Sequence, residues 1–91
     1  MAVEVRIPTV FRKFTGGESV VELEAGTISD LIDQLEARFP GLKEQLLTEE
    51  GELHRFVNVY VNDEDARYLE KLETKVAEGE TVAILPSVAG G

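Results

Sequence analysis

The sequence predicts an α+β domain in which one main helix lies across one face of a mixed four- to five-stranded sheet. Four segments alternate apolar with polar residues, which is the two-residue period of half-buried strands. One segment between the second and third of these places an apolar residue at every third or fourth position, which is the period of a helix. The length of 91 residues fits a single domain with one core.

The first two predicted strands form a hairpin. In residues 3–7 the apolar side chains at positions 3, 5 and 7 alternate with Glu4 and Arg6, and Pro8 ends the strand. A loop follows, and it carries two phenylalanines and the glycine pair at positions 16 and 17. Residues 18–24 then repeat the alternation and point Val21 and Leu23 inward.

The main helix is predicted to begin after Thr27. Gly26 breaks the preceding strand, and Thr27 with Asp30 forms a capping box in which aspartate stands in place of glutamate. Proline and glycine at positions 40 and 41 end the helix. A short helical turn and a surface loop follow within residues 42–54. The apolar stripe of the main helix consists of Ile28, Leu31, Ile32, Leu35 and Phe39.

Two further strands complete the sheet. Residues 55–62 point three valines to one side and Phe56, Asn58, Tyr60 and Asn62 to the other. The pair Asn62–Asp63 indicates a turn, residues 64–80 show no clear period apart from a turn at 78–80, and residues 81–86 form the last strand. With right-handed crossovers and the terminal strands adjacent in the sheet centre, this order is the ubiquitin-like β-grasp. We assign residues 1–86 to this domain and residues 87–91 to a flexible tail.

The charge of the chain narrows the class of partner. Eighteen acidic residues against nine basic ones give a formal net charge of −9. Nucleic acids and anionic membranes attract basic surfaces, so neither is an expected partner. An acidic chain is attracted to basic protein surfaces, so a protein with such a surface is the expected partner. Solubility alone also explains much of the charge. The absence of cysteine excludes disulfides, thiolate metal sites and cysteine nucleophiles. Neither a membrane span nor a signal peptide is present, so we expect a cytoplasmic protein.

Several candidate sites have ordinary explanations. His54 is the one histidine and has no second histidine or cysteine to share a metal, so a structural role is favoured over a dyad with Glu52. The run at 62–65 resembles the start of a calcium loop but lacks its later glycine and glutamate. No metal site is therefore predicted. Two interpretations of Phe56 and Tyr60 are equally favoured. They form a protein-docking surface on the open sheet face, or they form a cross-strand pair that stiffens the sheet.

The last five residues are the strongest candidate for a working group. The final strand runs directly into them, Val88 and Ala89 are small and apolar, and the glycines at positions 90 and 91 can thread a slot too narrow for a side chain. An ionised α-carboxylate at Gly91 can attack the α-phosphorus of ATP in another protein's site and form an acyl adenylate. Sulfur or an amine can then displace the nucleotide. Ordinary fraying of a terminus is the alternative.

Two stretches, HRFVNVYVNDEDARY and AILPSVAGG, resemble the ThiS/MoaD family of ubiquitin-like sulfur carriers. The start IPT at residues 7–9 and TGG at 15–17 are similar to the members that deliver sulfide for cysteine biosynthesis. The resemblance implies that a ubiquitin-activating-type enzyme adenylates Gly91 and converts it to a thiocarboxylate. It also implies that the tail residues enter partner sites, namely Pro86, Ser87, Val88, Ala89 and Gly90.

The same resemblance implies that the chain is a carrier and not an enzyme, with no cofactor of its own. The thiocarboxylate would attack an aminoacrylate on pyridoxal phosphate (PLP) in a cysteine synthase, and a zinc metallopeptidase would release the cysteine adduct. ATP, PLP and zinc would all belong to these partners. Two alternatives stay open: a small subunit of molybdopterin synthase, whose usual tail has two prolines where this chain has Pro86 alone, and a protein modifier joined to lysines through Gly91.

Overall fold

A computed structural model describes residues 2–66 and 69–86. The predicted tail at 87–91 lies outside the described residues, so the division into a domain and a tail stays a prediction. The strands are β1 (Val3–Arg6), β2 (Val20–Leu23), β3 (Gly26–Thr27), β4 (Val57–Val61), β5 (Glu64–Asp65), β6 (Lys75–Val76) and β7 (Thr81–Pro86). The α-helices are α1 (Ile28–Arg38) and α2 (Leu42–Leu46), and short 3-10 helices span Thr9–Phe14 and Lys71–Glu73.

Five strands form one mixed sheet in the order β2-β1-β7-β4-β5. The first and last strands, β1 and β7, are parallel neighbours in its centre, and the other pairs are antiparallel. Helix α1 covers one face of this sheet. These features confirm the predicted β-grasp with terminal strands adjacent, one main helix and a mixed sheet.

The core lies between α1 and the covered face of the sheet. The predicted alternation is confirmed, because the inward residues of each strand are buried while their neighbours are not. The four leading positions of the helical stripe are buried as well, and Phe39, which follows the helix, packs against the core edge. Burial of this apolar area is the main stabilising contribution to the fold.

The capping box at the start of α1 is present as predicted. The Asp30 backbone N–H donates to Thr27 Oγ1 over 3.1 Å, and the Thr27 N–H donates to Asp30 Oδ2 over 3.0 Å. A Cβ at position 26 would lie 2.8 Å from Asp30 Oδ2. A side chain at position 26 would therefore displace the capping carboxylate, and glycine leaves room for it.

Replacing Thr27 by alanine removes one half of this box. We expect Thr27→Ala to lower the free energy of unfolding by about 1 kcal/mol, because an N-terminal N–H of α1 loses its acceptor. Urea unfolding followed by circular dichroism measures the change. Ser29→Ala, two residues along the same helix, is the matched control. Equal stability of the two variants would contradict a stabilising cap.

Helix α2 begins at a second capped turn. Gly41 has φ of 99°, in the left-handed region where glycine is favoured. The Glu36 carboxylate accepts hydrogen bonds from the backbone N–H groups of Gly41 and Lys43, over 3.1 and 2.9 Å. These backbone hydrogen bonds lower the pKa of Glu36 below its ordinary value. The short predicted helical turn after Pro40 is thus confirmed, and α1 positions it directly.

Two elements differ from the sequence prediction. The segment Thr9–Phe14, predicted as a loop, is a 3-10 helix, and the three-residue spacing of Phe11 and Phe14 places both partly buried against the core. Gly26, predicted as a strand breaker, pairs with Val76 in a two-stranded sheet of β3 and β6. The pairing is only two residues long, which is too short to leave an alternating pattern in the sequence.

Candidate functional site

Strand β7 determines where the chain leaves the domain. It runs between β1 and β4, and its register places Val57 opposite Pro86, the last described residue. The Asn62 N–H donates to the Thr81 carbonyl, so the alternation of an antiparallel ladder aims the backbone groups of Ala83 and Leu85 at β4. The end of β7 is therefore held by β4 as far as Leu85.

Two prolines end the ladder on the other side of β7. The Glu4 N–H donates to the Glu80 carbonyl, and the same alternation aims the backbone of Ile84 and Pro86 towards β1. Strand β1 has ended there, because Pro8 has no N–H to donate and leads into the 3-10 helix. The backbone nitrogen of Pro86 faces the same side of β7. It has no N–H to donate, and β1 has no acceptor at this position. Beyond Ile84, β7 projects past β1 and leads to the predicted tail.

The face of the sheet opposite α1 is not covered by any helix of the described residues, and we call it the open face. Its apolar members Val20 and Leu85 are each 44% exposed. Neither was singled out from the sequence, although the alternation with Val21 and Ile84 places both outward. The open face consists of Glu4, Arg6, Val20, Glu22, Asn58, Tyr60, Thr81, Ala83 and Leu85.

The structure separates the two aromatic residues that the sequence predicted on this face. Tyr60 lies in β4 on the open face, half-buried, opposite Ala83 and Asp65. Phe56 is 56% exposed but precedes the strand. The Val57 N–H donates to the His54 carbonyl over 3.0 Å, and this turn keeps Phe56 out of β4. The prediction that Phe56 belongs to the strand is wrong, and Phe56 lies at the end of the sheet where β7 stops.

His54 is half-buried, and its N–H donates to the Leu46 carbonyl over 2.9 Å. It borders a broad groove beside α2 that also includes Glu36 and Leu47. Within residues 2–66 and 69–86, no group of three or more histidine, aspartate or glutamate side chains is placed to hold a metal ion. In the same part of the chain, no helix combines the length and apolar character needed to cross a bilayer.

The fold and the sequence agree with a known family. A family model, described as the ThiS family, matches residues 5–91. The chain belongs to the ThiS family. A sulfur carrier protein CysO from Mycobacterium tuberculosis (strain H37Rv) is 48% identical over 93 residues, with all of both chains covered. This confirms the resemblance to ThiS/MoaD carriers.

A solved structure and a second relative are also similar to this ThiS-family chain. The crystal structure of an Amycolatopsis orientalis BexX/CysO complex contains a chain with a TM-score of 0.91 and 53% identity, covering 99% of this chain and 100% of that one. Small archaeal modifier protein 3 of Haloferax volcanii is 35% identical over 94 residues, again across both chains in full. The proteins similar to this chain therefore include both named carriers and a named modifier.

Proposed function

We propose that this chain is a sulfur carrier for cysteine biosynthesis and that the carboxylate of Gly91 is its working group. The observation that carries the proposal is the likeness to CysO sulfur carriers, which extends over the whole of both chains. It confirms the predicted carrier role. The assignment of the chemistry to Gly91 rests on the tail sequence and on the position of β7.

The chemistry needs an end that is anionic and free of side chains. In an adenylating enzyme, a carboxylate oxygen of Gly91 attacks the α-phosphorus of ATP and releases pyrophosphate. Sulfide then displaces AMP from the acyl carbon and leaves a thiocarboxylate, with sulfur in place of one oxygen. Glycine at positions 90 and 91 allows the backbone to enter a narrow site. The chain contains no cysteine, so no thiol of its own competes for the activated carbonyl.

The domain supports this role as a rigid base for the tail. Strand β7 is anchored on both sides as far as Ile84 and by β4 as far as Leu85, so the described chain ends at Pro86 on a strand held in the sheet. The chain itself then catalyses no step. The residues that enter the partner sites are Pro86, Ser87, Val88, Ala89 and Gly90. We also expect the partner to contact Phe56, beside the end of β7, and Tyr60, opposite Ala83.

Three partner enzymes supply the remaining groups in this proposal. The adenylating enzyme holds ATP, a cysteine synthase holds PLP with its aminoacrylate, and a zinc metallopeptidase releases the cysteine adduct and regenerates Gly91. A solved complex of a similar CysO with the protein BexX supports the coarser point that such carriers bind a partner protein. The PLP enzyme and the peptidase rest on the family resemblance.

The second candidate is a protein modifier, which the likeness to a small archaeal modifier protein favours. Both functions begin with the same adenylate and differ in the nucleophile that follows. A modifier passes the acyl group to a lysine amine and forms an isopeptide bond, whereas a carrier passes it to sulfide.

Incubation of the chain with an adenylating enzyme from the same genome, ATP and sulfide separates the carrier from the modifier. A carrier gains the mass difference of one sulfur in place of one oxygen. This species then forms a cysteine adduct when a PLP-dependent cysteine synthase and a serine with an esterified hydroxyl group are added. If the chain is a modifier, adding the chain and ATP to a cell lysate yields conjugates of high mass, in which the chain is joined to lysines of other proteins. Conjugates without any thiocarboxylate would overturn the proposed carrier role.

A further inference from the structure

Strand β2 forms an outer edge of the five-stranded sheet. The Ile7 N–H donates to the Ser19 carbonyl over 2.8 Å, so the antiparallel alternation turns the backbone of Val21 towards β1. The N–H and carbonyl groups of Val20, Glu22 and Glu24 therefore point away from the sheet, and we call these groups the free edge. Such a row of backbone donors and acceptors is a template on which another strand can pair.

Two side chains of α1 cover part of the free edge. The Glu24 N–H donates to Gln34 Oε1 over 2.8 Å, and Gln34 Nε2 donates back to the Glu24 carbonyl over 3.0 Å. One side-chain amide thus occupies the place that a peptide group of a neighbouring strand would take. Arg38 Nη1 donates to the Glu22 carbonyl over 3.0 Å. Both backbone groups of Glu24 and the carbonyl of Glu22 are therefore occupied.

The remaining groups of the free edge are open. Within residues 2–66 and 69–86, no group accepts from the N–H of Val20 or Glu22, and none donates to the Val20 carbonyl. The side chain of Val20 is exposed as well. The free edge thus has a covered half next to α1 and an open half at the start of β2.

A second copy of this chain is complementary to the free edge in one register. Two antiparallel β2 strands related by a two-fold axis at Val21 place Val20 of each copy opposite Glu22 of the other. Four backbone hydrogen bonds then join the two pairs. A shift by two residues would instead place Glu22 opposite Glu22 or Glu18, and like charges directly opposite are unfavourable. Two of the four hydrogen bonds need the Glu22 carbonyl, which Arg38 already holds.

We propose that Gln34 and Arg38 are an autoinhibitory cover on the free edge, which keeps a second copy of this chain from pairing with β2. The guanidinium carbon of Arg38 lies 5.5 Å from the centre of the Phe39 ring, a contact that helps to hold the side chain over the edge. The net charge of −9 also opposes association, but salt screens that repulsion. The inference concerns assembly and does not depend on the proposed function.

Sedimentation equilibrium tests the cover, in about 0.5 M NaCl to screen the repulsion between copies. We expect the wild type to be monomeric and Gln34→Ala/Arg38→Ala to raise the dimerisation constant about 30-fold, because the two Arg38 hydrogen bonds no longer have to break. Gln45→Ala/Arg55→Ala removes the same two types of side chain from exposed positions and leaves the monomer. Adding Val20→Pro to Gln34→Ala/Arg38→Ala removes one edge donor from each copy and restores the monomer.

The variants separate a loss of the cover from a loss of structure. Circular dichroism establishes that each variant is folded, and Arg38→Ala alone serves if the double variant does not fold. Association of Gln34→Ala/Arg38→Ala no stronger than that of Gln45→Ala/Arg55→Ala would overturn the cover, and so would a dimeric wild type. Association that persists after Val20→Pro is added would show that the copies meet elsewhere, which also overturns the proposal.

Discussion

A chain that ends at Ala89 is expected to lose activation entirely while its domain remains folded. The truncation leaves a carboxylate on Ala89, but this group lies two residues, about 7 Å of extended chain, short of the position that the Gly91 carboxylate is expected to reach in the enzyme. The lost residues follow Pro86, which the register pairs with Val57. Stability should stay within about 0.5 kcal/mol of wild type, since the two deleted glycines carry no side chain to bury. Pyrophosphate release and intact mass measure activation, and urea unfolding measures stability.

The matched control for this truncation is Gly90→Ala, which keeps the length of the tail and its terminal carboxylate. We expect this variant to be adenylated more slowly than wild type, because a Cβ must enter a site shaped for glycine. It should still be adenylated measurably. Activation of the truncated chain at the wild-type rate would place the reacting group elsewhere in the molecule.

Leu35→Ala should destabilise the domain by about 2–5 kcal/mol, the largest stability effect that we expect from a single substitution. Leu35 is 1% exposed and lies on α1 within the core cluster, so its truncation removes buried contacts and leaves a cavity. Urea unfolding followed by circular dichroism gives the change in free energy.

Leu85→Ala makes the same truncation at an exposed position and is the control. We expect it to cost less than about 1 kcal/mol, since much of its surface already faces water. Equal losses for the two leucines would show that the packing of α1 on the sheet contributes less to stability than burial indicates.

The sequence predicts most of the fold because its main elements have distinct periods. The valines of β4 alternate over five residues, and the stripe of α1 extends over three turns, so neither pattern fits the other type of element. The Thr27 cap and the turns at Pro40 and Asn62 mark boundaries that the structure retains. The adjacency of the terminal strands is part of the predicted β-grasp topology, and the parallel pairing of β1 with β7 confirms it.

Features formed by tertiary contacts could not be predicted in this way. The pairing of β3 with β6 joins two-residue segments far apart in the sequence, and no local pattern identifies them. Phe56 appears to continue the alternation of β4, but a hydrogen bond from Val57 to His54 turns the backbone first. The position of Arg6 between Val20 and Ala83 on the open face is known only from the pairing of β1 with β2 and β7.

Tandem mass spectrometry of the chain after reaction with its adenylating enzyme, ATP and isotopically labelled sulfide tests the central claim most directly. We predict that a single labelled sulfur replaces one oxygen and that every fragment carrying the label contains Gly91. Labelled sulfur on a fragment that lacks Gly91, or an adenylated chain that takes up no sulfur, would contradict a carrier that works through its C-terminal carboxylate.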